Sequence, residues 1–231
     1  MEKRQNSTTG FEPEAVRLMK VGVAPGCRPS AIFASCRRSA ATDRLNSGVR
    51  PPIMRIGLIR HFPVDMPPPG RWMTSAELEE WQDSYDDAEV KIVPCDPGGT
   101  EWPSCISSDS MRAIVTARTV HGGDFHRTAL LREPRVAGFG TGNLRLPLWA
   151  WRLVLRLAWM TGHRTQRSSR DDFKQRVATV AKQLRDSNVD TLVVSHAGMM
   201  IFLGKELRRS GFAGPKMRIP QHALVYVFED S

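Results

Sequence analysis

Apolar and polar positions follow two rhythms along residues 54–231, short β-leaning runs and stretches of helical period, and they alternate. Arg55–Ile59 is an apolar run that reads as a buried strand. It stops at Arg60-His61 and meets Pro63 and the loop Pro67-Pro68-Pro69-Gly70. Thr74-Ser-Ala-Glu77 has the form of a capping box and opens a helix to roughly Asp87, with Leu78, Trp81 and Tyr85 on one side. Val90–Val93 reads as a short strand, and Trp102–Ser107 as another. Ser108, Asp109 and Ser110 are all good N-caps for a helix ending near His121-Gly122-Gly123. Phe125–Leu131 is expected to be a strand that ends in Arg132-Glu133-Pro134, because Pro134 cannot continue regular pairing. Ser168-Ser-Arg-Asp171 resembles a second capping start. After it, Phe173, Val177, Val180, Ala181 and Leu184 give the strongest helical period in the chain. Asp190–Ser195 is a buried strand, His196-Ala-Gly198 turns into a helix over Met199–Arg209, and Ala223–Phe228 closes the pattern as a strand.

Strands alternating with helices predict an α/β class: a three-layer α/β/α sandwich around a largely parallel sheet. Residues from about 134 to 170 interrupt the alternation as a helical cap insertion centred on Leu146–Met160. That segment is apolar all round except for Arg152 and Arg156, which share a side at i, i+4. It is too short to span a bilayer. A cap or core-packing helix is the favoured reading. An interfacial helix over 148–160, anchored by Trp149, Trp151 and Trp159 and making peripheral membrane contact, is the weaker one.

Composition changes the picture mainly at the N-terminus. The net charge is +9, and nine Lys/Arg against four Asp/Glu place +5 of it in residues 1–53, which show no sustained period. Those residues read as a poorly ordered basic extension to a domain at 54–231, with Met54 a plausible alternative start. Their charges are scattered, so no specific nucleic-acid partner is expected. A positive chain favours anionic partners. The four cysteines form no CxxC, which points to free thiols in a reducing cytoplasm, with neither a disulfide framework nor a zinc site.

The candidate chemistry lies where strands end. Arg60-His61, Arg112, Glu133 and His196 all fall at the carboxyl ends of expected strands or in the helices that follow, where open α/β sheets bind ligands. A lone histidine at such a place is more often structural. Two histidines, two arginines and a glutamate at equivalent places point to a shared anion. Arg112 in a first helical turn opposes the helix dipole unless both address that anion.

Leu58-Ile-Arg-His-Phe62 resembles the Arg-His-Gly signature of the histidine phosphatase superfamily, the phosphoglycerate-mutase-like proteins. Ser107-Ser-Asp-Ser-Met-Arg-Ala113 resembles the second-arginine segment of that family, Leu131-Arg-Glu133 its acid/base segment, and Val194-Ser-His-Ala-Gly198 its second-histidine segment. The resemblance spans about residues 54–231. It implies a metal-independent phosphomonoester phosphatase that needs no cofactor, with His61 as nucleophile and Glu133 as proton donor. Arg60, Arg112, His196 and the Ala197 backbone N–H would bind phosphate. A mutase is the less favoured activity. The alternative is a catalytically inactive phosphate-binding or membrane- or protein-docking member of the same fold. The expected partner is a small phosphorylated substrate, with a phosphoprotein as a second class. Two residues depart from the family pattern: Phe62 and Ala197 stand where glycine is usual. Phe62 is expected to crowd the pocket or to wall the substrate.

Overall fold

The computed structural model describes residues 53–96, 101–134, 141–164 and 166–230. The basic extension expected over 1–53 lies outside them except for Ile53. Six strands form one sheet: β1 (Arg55–Arg60), β2 (Ser104–Ser108), β3 (His126–Thr128), β4 (Thr191–Ser195), β5 (Phe212–Ala213) and β6 (Val225–Asp230). Between them lie α1 (Ser75–Asp87), α2 (Met111–His121), α3 (Leu148–Thr161), α4 (Arg167–Ser187) and α5 (Ala197–Arg209). The spatial order is β3-β2-β4-β1-β6-β5. β3, β2, β4 and β1 run parallel, β6 is antiparallel to β1, and β5 is antiparallel to β6. The sheet is therefore mixed, a parallel block with an antiparallel edge.

β1 is central, so both of its faces are covered. Ile56, Leu58 and Ile59 are all fully buried. Side chains alternate between faces along a strand. Ile59 shares one face with Leu192 and Val194, against which α2 packs through Ala113 and Ala117. Trp102 joins that cluster by lying across Gly57, where an added Cβ would meet its ring at 2.6 Å. Gly57 is thus a close-approach glycine. On the other face Ile56 pairs with Phe228, and Phe228 abuts Gly204 of α5. Each of these large apolar side chains contributes roughly 1.5–3 kcal/mol by leaving water.

The capping box forms as expected. Glu77 N–H donates to Thr74 Oγ1 at 3.2 Å, and Thr74 N–H donates to Glu77 Oε2 at 2.7 Å. α3 is pinned to the body by Trp151, which is buried and donates its indole N–H to Met73 O at 2.8 Å.

Other expectations are corrected. Val90–Val93 makes one bridge, to Val64, and no strand, since Ile92 is 65% exposed and has no sheet to join. The strand expected over Phe125–Leu131 shrinks to β3. Thr128 Oγ1 then accepts from Leu130 N–H and turns Ala129–Leu131 into a 3-10 helix. α4 starts at Arg167 with Gln166 as its cap residue, so Ser168 caps nothing. α5 starts at Ala197, two residues earlier than expected. The last strand is Val225–Asp230, because Ala223 takes a left-handed φ of 57°. β5 carried no sequence signal. Cys95 and Cys105 are free thiols, while Cys27 and Cys36 lie outside the described residues.

Candidate active site

The parallel register sets the site. Arg60 is level with Ser195, and His61 N–H donates to Ser195 O at 3.0 Å. One residue beyond that pair, His61 and His196 therefore stand side by side, with ring centroids 5.1 Å apart. Both rings are 3% exposed.

The Nδ1 of His61 lies 2.7 Å from the carbonyl oxygen of Phe62. A carbonyl can only accept, so Nδ1 carries the proton and Nε2 keeps a lone pair. Burial, then the neighbouring His196, pushes the His61 pKa down to about 2, so the ring is neutral. His196 is pushed down to about 3 by burial and by the charges of Arg112 and Arg60. Its Nε2 sits 3.0 Å from Ser108 Oγ and 3.3 Å from Ser110 Oγ. The hydroxyls read as helix caps thus serve His196. Ser110 is the cap residue of α2 but makes no side-chain cap bond, and Asp109 holds Arg132 instead.

Arg60 and Arg112 both reach the same region. Arg60 Nη1 donates to Pro220 O at 3.0 Å. Arg112 is 8% exposed, donates from Nη1 to Asp86 Oδ1 at 2.7 Å, and lies over the Tyr85 ring at 5.4 Å. The Nε–H groups of both arginines are buried with no hydrogen bond among the described residues. Buried guanidinium donors left without an acceptor are costly, and an anion between them would relieve that. Burial also lowers the pKa of Arg60, and Arg112 and Arg152 act on it as like charges.

Glu133 follows the 3-10 turn by two residues, and its Oε1 accepts from Gly198 N–H at 3.0 Å. Burial raises its pKa, against the opposing pull of that bond and of Arg60, Arg112 and Arg176. The helix N–H that engages a carboxylate here belongs to Gly198, one residue beyond Ala197.

Phe62 corrects another expectation. It is fully buried, and its N–H donates to Thr116 Oγ1 at 2.9 Å, so it walls the core and not the substrate cleft. That cleft has a volume of about 1620 Å³, and its lining includes Arg112, Glu133 and His196 together with Trp81, Leu155 and Trp159. His61 does not itself line the cleft but adjoins it through His196, which does.

The residue missed from sequence is His222. Its Nδ1 lies 2.6 Å from the His61 carbonyl oxygen, to which it donates, and its ring stands 5.2 Å from His61. The signal was indirect: β6 runs antiparallel beside β1, so residues just before β6 return to the carboxyl end of β1. Among the described residues no three His, Cys, Asp or Glu side chains are grouped to hold a metal ion.

No protein-family model and no curated protein matches this chain. Solved structures similar to it include a phosphoglycerate mutase from Bacillus anthracis. That match is at 16% identity and TM-score 0.45, over 76% of this chain and 87% of that one. A mycobacterial glucosyl-3-phosphoglycerate phosphatase is similar at 18% identity and TM-score 0.41, over 68% and 80%.

Proposed function

We propose that the chain is a histidine phosphatase superfamily enzyme that hydrolyses phosphate monoesters through a phosphohistidine. The observation that carries this reading is the His61 Nδ1–Phe62 O contact, which leaves Nε2 of a neutral imidazole as a nucleophile needing no separate base.

Nε2 attacks phosphorus, the P–O ester bond breaks, and the leaving oxygen takes the proton held by Glu133. Glu133, now ionised, takes a proton from water. The hydroxide so formed attacks phosphorus, the P–N bond breaks, and inorganic phosphate leaves while the lone pair returns to Nε2. The raised pKa of Glu133 suits a group that must begin protonated. Arg60 and Arg112 would take the equatorial oxygens through their unpartnered Nε–H groups. His196 stands beside the attacking ring to bond another oxygen. Arginines supply positive charge where charge is transferred.

The test is hydrolysis of an aryl phosphate by wild type and His61→Ala, with acid-labile, base-stable labelling of the protein by phosphate. Wild type should turn over and label; His61→Ala should do neither. Turnover that survives in His61→Ala would remove the role assigned to this residue. Phosphate binding without turnover in wild type would favour the inactive, binding-only alternative.

A further inference from the structure

α3 is held by one side only. Trp151 is 1% exposed and bonded to Met73, and Trp159 packs edge-on against Phe173 and Phe202. The opposite side carries Trp149, Leu153, Leu157 and Met160, exposed by 70, 50, 51 and 61%. At about 100° per residue these four fall within an arc of roughly 80°, so they form one continuous stripe. An apolar stripe of this kind on an exposed helix marks a contact surface.

The charge of the segment that carries the stripe is of one sign, although acidic residues of α1 and α4 share the cleft beside it. Residues 134–170 contain seven arginines and no aspartate or glutamate. Arg145 is paired with Glu77, and Arg170 bonds the last carbonyls of α3. Arg152 and Arg156 border the stripe on its cleft side, and Arg164 and Arg167 follow the helix. All four are exposed and make no ion pair among the described residues. No helix among the described residues is long and apolar enough to cross a membrane.

We propose that the outer side of α3 docks in the interface of an anionic lipid bilayer. The stripe would enter the acyl boundary while the arginines reach phosphate and carboxylate headgroups along their apolar stems. A second copy of the chain fits less well. A two-fold contact sets the same patch against itself, and this patch would oppose arginine with arginine. Because Arg152, Leu155 and Trp159 also line the cleft, docking sets the cleft mouth beside the headgroups. The proposal is independent of the catalytic reading, since Trp149, Leu153 and Leu157 do not line the cleft.

The test is co-sedimentation of the full chain with vesicles of phosphatidylcholine alone or of phosphatidylcholine with phosphatidylserine. The chain should pellet with the anionic vesicles only, and added salt should release it. The double variant Leu153→Glu, Leu157→Glu should reduce the bound fraction more than about tenfold with the melting temperature unchanged. Should that variant melt early, Trp149→Ala replaces it, and its partitioning should fall in the same sense. Equal pelleting of wild type and both variants would overturn the proposal, as would no pelleting of wild type. A wild-type dimer in solution that the double variant converts to monomer would assign the stripe to a second copy and overturn it as well.

Discussion

The backbone N–H of Gly198 donates to Glu133 Oε1 at 3.0 Å, and a Cβ on residue 198 would overlap that same oxygen. The glycine that matters after the second histidine is therefore one position later than the family pattern suggested. Gly198→Ala should displace Glu133 and lower kcat by about 10²-fold on an alkyl phosphate, comparable to Glu133→Gln. An aryl phosphate, whose leaving group needs little protonation, should lose much less. Steady-state kinetics on the two substrates checks this; equal losses on both would detach Gly198 from the proton-transfer step.

The buried histidines make folding pH-dependent. Burial and neighbouring positive groups push His61 down to about 2 and His196 to about 3 in the folded chain, below the usual value for histidine. As pH falls below ~6.5, the unfolded chain takes up protons that the folded site refuses, so stability is lost with acidification. Each histidine would account for about 2 kcal/mol at pH ~5, and Glu133, raised by burial, acts in the opposite sense. Denaturant midpoints should drop between pH ~7 and ~5 in wild type and drop less in His196→Gln. A midpoint that rises on acidification would contradict this.

Arg112 already holds a carboxylate, that of Asp86 at 2.7 Å. A phosphate that draws on the same guanidinium competes with it. Asp86→Asn should tighten inorganic phosphate inhibition by roughly 3- to 10-fold, since charged acceptors bind arginine more strongly than neutral ones. Weaker phosphate binding in the variant would mean that Asp86 orients Arg112 and does not compete.

His222 touches His61 from the side opposite His196 and bonds its carbonyl. It is also the bridge partner of Arg60, so it ties the end of β1 to the segment before β6. His222→Phe should lower kcat about tenfold and leave KM close to wild type, because a small misplacement of an attacking atom acts on the chemical step. A rise in KM with kcat unchanged would place His222 in substrate binding.

Much of the site could be read from sequence because its parts lie at ends of regular elements. Arg60, His61, Arg112 and His196 follow short apolar runs whose boundaries are local properties, and Glu133 precedes a proline. Ser108 and Ser110 were legible as hydroxyls at a helix start but not as partners of His196, since capping and catalytic roles look alike in one dimension. Phe62 was misjudged for the same reason. Its position next to His61 is local, whereas its direction depends on the 0% exposed core around it and on Thr116, 54 residues away.

By itself the sequence determined most of the segments that become strands and helices, though neither β5 nor the fate of Val90–Val93, and that charged side chains stand at the ends of four of them, because periods of two and 3.6 record which sides are buried. The tertiary structure decided the rest. Pairing Arg60 with Ser195, not with a neighbour one residue away, puts His61 against His196. An antiparallel β6 brings His222 back to them, and α1 lays Asp86 on Arg112. Register and strand order are set by packing between residues far apart in the chain, and no local pattern encodes them.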